Sequence, residues 1–310
     1  MTNLAVSPEL LRDRFIGSLL GTAIGDSLGA ASWRPDLRVF GRELATRYTD
    51  DTHMAIGLAE SLIACRGLDK EHLLHTFALN WAEEPWRGYG PGPPRIFRAY
   101  LRGQDAHVVA SSLYPGGSFG NGAAMRIAPL ACFYYDAGAE ELRHLAYEAS
   151  EVTHTHPLGK EGAALQAYAI ATAIKTPPGH LDPAAFLDQL LAFARYDVYR
   201  RKLAAAKRLL RQREDRCLVV RKLGNSVEAF NSVPIAIYAF ATTESFEEAV
   251  RYAVSLDGDA DTIGAMTGAL AGAYYGRDQI PARWLGEVEG RELLEQLAVR
   301  LWEIKAHGRQ

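Results

Sequence analysis

Gly17, Gly21, Gly25 and Gly29 recur every four residues through Phe15-Ile16-Gly17-Ser18-Leu19-Leu20-Gly21-Thr22-Ala23-Ile24-Gly25-Asp26-Ser27-Leu28-Gly29. Residues four apart share a helix face, so on a helix these glycines form one bare stripe. The stripe costs helix propensity, and its use is to let a neighbouring backbone approach closely. A central, tightly packed helix is the expectation. Asp26 lies within it, either hydrogen-bonded in the packing or turned toward a site. A second stretch, 262–275, carries Gly264, Ala265, Gly268, Ala269, Gly272 and Ala273 and again permits close helix contact.

Helical periodicity continues along the chain. Leu73, Leu74, Phe77 and Trp81 fall on one side of 69–81, and further helical patterns cover 140–151, 227–240, 246–254 and 293–304. Residues 158–174 are alanine-rich, as suits a helix in an all-helical interior. Strand alternation is nearly absent and no solenoid period is visible. The fold class is therefore all-α.

The chemistry-bearing residues lie in two clusters. Asp257-Gly258-Asp259-Ala260-Asp261-Thr262 places three carboxylates at alternate positions where a helix begins. One aspartate suffices to cap a helix. An EF-hand loop counted from Asp257 needs Gly at position 6 and Glu at position 12, where this chain has Thr262 and Gly268. Tyr48-Thr49-Asp50-Asp51-Thr52 is the second cluster, about two hundred residues away, and also precedes an apolar helical pattern. Together they offer four or more carboxylates with hydroxyls, an all-oxygen set suited to Mg²⁺, Mn²⁺ or Ca²⁺ rather than zinc. If the fold joins the two helix starts, a two-metal site results.

A site built from both ends of a 310-residue chain argues for one domain, 1–310, closing on itself. Its 48% hydrophobic content is that of a globular protein. A net charge of −3 gives no bulk attraction to nucleic acid or membrane. Three dispersed cysteines, Cys65, Cys132 and Cys217, and no visible signal peptide suit a reducing, cytoplasmic setting.

Three stretches remain. The Gly/Pro loop 85–94 contains Trp86 and Tyr89, which either border a pocket or pin the loop. In 114–130, Gly116, Gly117, Gly120 and Gly122 with Ser118 and Asn121 form either a plain turn or a loop whose N–H groups face an anion; no Walker lysine follows. His154 and His156 lack zinc-site spacing; one of them is expected either to orient a loop or touch substrate, or to be structural. The basic stretch 199–216 reads as a solvated helix face, with an acidic partner as the alternative.

Taken together, Gly25-Asp26-Ser27-Leu28-Gly29, Tyr48-Thr49-Asp50-Asp51-Thr52, Gly120-Asn121-Gly122-Ala123-Ala124-Met125-Arg126 and Asp257-Gly258-Asp259-Ala260-Asp261-Thr262-Ile263-Gly264 resemble the ADP-ribosylglycohydrolase family, over roughly residues 12–276 and in the expected order. The family includes dinitrogenase-reductase-activating glycohydrolases and ADP-ribosylarginine hydrolases. The resemblance implies a compact orthogonal multi-helix bundle holding two Mg²⁺ or Mn²⁺ ions. By motif position it implies Thr49, Asp50, Asp51, Asp259, Asp261 and Thr262 as ligands, Asp50 or Asp261 as the base, and Ser118, Gly120, Asn121, Gly122 and His156 along ADP-ribose. One departure is visible. Many members carry glutamate seven residues beyond the aspartate of the Gly-Asp motif, where this chain has Trp33, with Asp36 off that spacing; by the resemblance this counts against a serine linkage and for arginine, or for lost activity.

The reaction so implied is hydrolysis of the bond between C1 of the distal ribose and arginine's guanidinium, on an ADP-ribosylated protein or small molecule. A metal-dependent phosphohydrolase and an ADP-ribose-binding module without turnover are the rival readings, as is a different ADP-ribosyl linkage.

Overall fold

The computed structural model describes residues 6–33, 41–210 and 215–308. Among them the regular elements are helical. The first third of the chain supplies α1 (Pro8–Trp33), α2 (Asp50–Cys65), α3 (Lys70–Glu83), α4 (Gly92–Leu101) and α5 (Ala106–Ser112). The short α6 (Gly122–Met125) and α7 (Ala128–Phe133) lead into α8 (Ala139–Glu151), α9 (Pro157–Lys175), α10 (Pro183–Phe193), α11 (Asp197–Leu209) and α12 (Arg216–Leu223). The chain ends in α13 (Ala229–Ala241), α14 (Phe246–Val254), α15 (Ala260–Tyr275), α16 (Ala282–Glu287) and α17 (Arg291–His307). No strand occurs among the described residues; Gly120 and Glu228 form an isolated antiparallel bridge.

The two small-residue stripes meet. α1 and α15 run antiparallel, and Gly17, Gly21, Gly25 and Gly29 lie against Gly272, Gly268, Gly264 and Ala260 in that order. A methyl group on Gly25 would sit 1.9 Å from the Gly264 carbonyl oxygen, and one on Gly272 would sit 1.9 Å from that of Gly17. The backbones are in contact along four turns. Ser18 adds a hydrogen bond from its hydroxyl to the Ala269 carbonyl at 3.0 Å. This pairing brings the C-terminal half of α1 to the N-terminus of α15.

Around this pair the other helices bury their apolar faces. α9 is buried along most of its length, and Gln166 reaches from it to the Met266 carbonyl at 2.9 Å. The C-terminal carbonyls of α9 would otherwise be orphaned in the core. Buried Arg14 satisfies them, donating from Nη1 to Ile174 and Thr176 at 2.7 Å each.

The basic stretch 199–216 is not one helix. α11 stops at Leu209 and α12 starts at Arg216, with 211–214 outside the described residues. Tyr199, Leu203 and Leu209 are buried while Arg200, Arg201 and Arg208 are exposed, so the charge lies on the outer face of an amphipathic helix. Residues 227 and 228, the start of the expected helix 227–240, lie outside α13, where Asn121 N donates to the Val227 carbonyl and Ala229 N to that of Phe119. Trp33 ends α1; its side chain and residues 34–40, with Asp36, lie outside the described residues.

Candidate active site

Asp26 is fully buried at the end of α1 that faces α2. Its Oδ2 accepts from Thr49 N at 2.9 Å, Thr52 N at 3.2 Å and Thr52 Oγ1 at 2.5 Å, while Oδ1 accepts from Thr49 Oγ1 at 2.8 Å. A carboxylate from one helix thus caps another, satisfying N–H groups that the helix itself leaves free. Burial pushes Asp26 up to about 6 in spite of these bonds. Of the two roles open to it from sequence, the packed one is the one observed.

With α2 docked on α1, and α1 docked on α15, the two acidic clusters converge. Asp50, Asp51, Asp259, Asp261 and Thr262 share the floor of one cavity of about 540 Å³. Burial raises Asp50 and Asp51 well above the usual carboxylate range, and the charges of Asp261 and Asp26 push in the same direction. Asp261 is pushed up to about 7, by burial first and then by Asp259 and Asp26. Asp259 is raised mainly by burial, against the hydrogen bond it accepts from Asn121 Nδ2 at 2.5 Å. Asp257 stands apart, exposed in a left-handed turn at φ 57°, with Gly258 following at φ 70°.

No group of three or more His, Cys, Asp or Glu side chains among the described residues closes to metal-ligating geometry. Two observations nonetheless fit a hard divalent cation. Asp51 Oδ1 is buried without a hydrogen-bond partner. The charges of Asp261 and Asp259 also raise Asp50 and Asp51, and Asp259 raises Asp261, which is the electrostatic condition a cation relieves. Thr49 Oγ1 is engaged with Asp26 and lies 3.1 Å from Asp51 Oδ2.

The glycine loop forms a second wall, with Ser118, Gly120, Asn121 and Gly122 on the cavity. It is glycine-rich because it lies directly on residues 153–156. A methyl group on Gly117 would meet Thr155 Oγ1 at 2.2 Å, and one on Gly122 would meet the His154 ring at 2.7 Å. His154 borders the cavity, is held by Thr153 Oγ1 at 2.8 Å, and is depressed to about 3 by burial and by Arg126, so it is neutral. His156, the residue favoured from the resemblance, is not among the lining residues. It caps α9, accepting from Leu158 N at 3.1 Å, and its ring packs edge-on against Phe119 at 5.4 Å.

The third wall is the Gly/Pro loop, through Gly88, Gly90, Pro91, Gly92 and Pro93. Its aromatics pin it rather than line it. The Tyr89 hydroxyl lies 2.9 Å from His53 Nδ1, and Trp86 is 50% exposed outside the cavity.

Sequence reasoning passed over residues 225–228. Asn225 accepts from Asp259 N at 2.8 Å and donates to the Leu256 carbonyl at 2.9 Å, tying the acidic turn to the strip that pairs with the glycine loop. Polar Asn, Ser and Glu before a helix read as an ordinary linker, and no signal in the sequence singles them out. Arg126, the last residue of the glycine-loop motif, is buried and donates to the Ala149 carbonyl at 3.1 Å.

The chain is thus an all-helical bundle with aspartate clusters at two helix N-termini beneath a glycine-walled cavity. The chain belongs to the ADP-ribosylglycohydrolase family, whose model matches residues 7–310. It is 35% identical to ADP-ribosylhydrolase ARH3 of Bos taurus, covering 94% of this chain and 93% of that protein. It is 28% identical to the ADP-ribosyl-[dinitrogen reductase] glycohydrolase of Rhodospirillum rubrum, covering 90% and 91%. A solved structure described as an ADP-ribosylglycohydrolase-related protein complex superposes with a TM-score of 0.76 at 30% identity, over 96% of this chain and 99% of that one. Membership supports a glycohydrolase activity. No helix among the described residues is long and apolar enough to cross a membrane.

Proposed function

We propose that this chain hydrolyses the bond between C1 of the distal ribose and its acceptor in an ADP-ribosyl conjugate, with an acceptor other than arginine's guanidinium as the favoured substrate. The observation that carries this reading is the convergence of Asp50, Asp51, Asp259 and Asp261 beneath a cavity walled by two glycine loops. The acceptor departs from the arginine expected from sequence because relatives at 34–35% identity are named ADP-ribosylhydrolase ARH3, whereas the relative named for dinitrogen reductase stands at 28%. Arginine is the second reading.

Thr49, Asp50, Asp51, Asp259, Asp261 and Thr262 would hold two Mg²⁺ or Mn²⁺ ions, which supply Lewis-acid charge and a water of lowered pKa when bound. The chain's own residues do the rest. Asn121 fixes Asp259 by its side-chain amide. The glycine loop, whose Gly117, Gly120 and Asn121 N–H groups are spent on the Tyr114 carbonyl, Ser118 Oγ and the Val227 carbonyl, borders the cavity with little side-chain bulk, so that a substrate phosphate backbone could lie against it. Neutral His154 offers a hydrogen bond without adding charge beside those phosphates. Asp50 and Asp261 border the cavity where a water's proton would be taken as the oxocarbenium-like state develops.

The test is product identity. The purified protein is incubated with serine-linked and arginine-linked ADP-ribosyl protein, with Mg²⁺, with Mn²⁺ and with chelator. Free ADP-ribose from the serine linkage supports the proposal, release from arginine alone supports the second reading, and AMP would mean pyrophosphate cleavage instead. Trp33, where many members carry glutamate, motivates a binding-only alternative, recognised by tight ADP-ribose binding with no release from either conjugate.

A further inference from the structure

Arg87 lies in the Gly/Pro loop, yet it is buried, with 5% of its surface exposed. Its Nε donates to Glu84 Oε2 at 2.8 Å, and its Nη1 and Nη2 grip Glu289 Oε2 and Oε1 at 2.7 and 3.2 Å. Nη1 also donates to the Tyr48 carbonyl at 3.1 Å. Tyr48 N in turn donates to Glu289 Oε2 at 2.8 Å. The main chain of Tyr48 is therefore held at both its N–H and its C=O, by a carboxylate and a guanidinium that are bound to each other. The guanidinium carbon lies 3.8 Å from the Tyr48 ring centroid and 4.3 Å from that of Trp86. Arg47 also sits over the Trp86 ring, at 4.7 Å.

The position of this bracket gives it meaning. Tyr48 immediately precedes Thr49, Asp50 and Asp51, and Arg87 immediately precedes Gly88. Gly88 adopts φ 92°, and a methyl group on it would lie 3.8 Å from Asp50 Oδ1. One loop residue thus holds the residue that leads into the carboxylate helix, and the next lies beside one of its carboxylates. We propose that Arg87 is a positioning residue, setting the Asp50 and Asp51 floor against the Gly88–Pro93 wall by clamping the Tyr48 peptide. The inference rests on the hydrolase reading for its kinetic consequence, not for its structural one.

Lysine cannot replace the fork, because an ammonium offers no planar bidentate grip and stacks poorly between two rings. Arg87→Lys therefore lowers kcat on the order of 10–100-fold, as a misplacement of about 1 Å at reacting groups does. KM changes by less than about threefold, since the phosphate-facing loop is untouched. Arg143→Lys is the control: Arg143 is equally buried and paired with Glu161 at 2.6 Å, away from the cavity, so it reports loss of a buried ion pair alone.

Hydrogen exchange supplies a readout independent of turnover. In Arg87→Lys, amides of 48–53 and of 86–93 exchange faster together, while in Arg143→Lys both segments keep wild-type rates. Faster exchange confined to 86–93 would overturn the proposal, as would wild-type kcat in a folded Arg87→Lys protein. If wild-type protein releases ADP-ribose from no conjugate, the hydrolase reading fails, and exchange at 48–53 still decides the role of Arg87.

Discussion

A methyl group on Gly21 would lie 2.0 Å from the carbonyl oxygen of Gly268, and one on Gly268 would lie 2.0 Å from that of Gly21. The contact is backbone on backbone, so neither partner can rotate a side chain out of the way. Gly21→Ala must separate α1 from α15 and is expected to destabilise by about 1–3 kcal/mol or more. Gly286→Ala, in α16 with open space around it, is expected to be neutral or to stabilise by about 0.4–1 kcal/mol. Urea unfolding of the two variants checks the contrast; similar midpoints would contradict it.

The same helix pair sets the pH dependence of the cation-free protein. Asp26 near 6 and Asp261 near 7 are acids raised above their unfolded values, so between about pH 4 and 7 the folded state binds more protons than the unfolded state. Their contribution falls as pH rises through that window and is flat above it. With chelator present, the melting temperature should drop between pH 5 and 7.5, and Asp261→Asn should flatten the drop. Added Mg²⁺ should raise it more at pH 7.5 than at pH 5. An unchanged slope in Asp261→Asn would remove the carboxylate floor as its source.

His154 and His156 should separate cleanly by substitution. His156→Ala removes a helix cap, at about 1 kcal/mol, with KM nearly unchanged. His154→Gln alters a side chain on the cavity wall and should raise KM with little loss in melting temperature. Steady-state kinetics beside thermal unfolding reads both; the reverse pattern would restore His156 as the substrate-side residue.

Glu161 is fully buried and accepts from Arg143, the Tyr147 hydroxyl at 2.5 Å and Arg195 N at 2.7 Å. Glu161→Ala removes the buried carboxylate partner of Arg143, leaving it the Phe193 carbonyl and the exposed Glu140, and should cost about 3–5 kcal/mol. Denaturant unfolding measures it, and a cost under about 1 kcal/mol would show that solvent reaches Arg143.

Much of this was legible because periodicity reports helices locally. The bare stripe of α1 and the small residues of α15 each announced a close neighbour, and the Thr/Asp clusters announced two helix starts. Partnership is a different kind of fact. Nothing in Gly21 says that Gly268 faces it, and nothing in Asp26 says that it caps α2, since both relations depend on packing between residues far apart in sequence. Which of His154 and His156 lines the cavity was not legible for a related reason: two residues of the same type in one turn differ only in which way the turn faces. Arg87 was hidden by its surroundings, a glycine and proline loop in which a buried cation is not expected.

The measurement that tests the account most directly is turnover of an ADP-ribosyl conjugate by wild-type, Asp50→Asn and Asp261→Asn proteins, each shown folded by circular dichroism and each assayed with Mg²⁺ and with chelator. The account predicts release of ADP-ribose by the wild-type protein with Mg²⁺. It predicts a loss on the order of 100-fold or more in both variants, the lower scale for a positioned base, and loss with chelator. Wild-type turnover in a folded Asp50→Asn protein would contradict it.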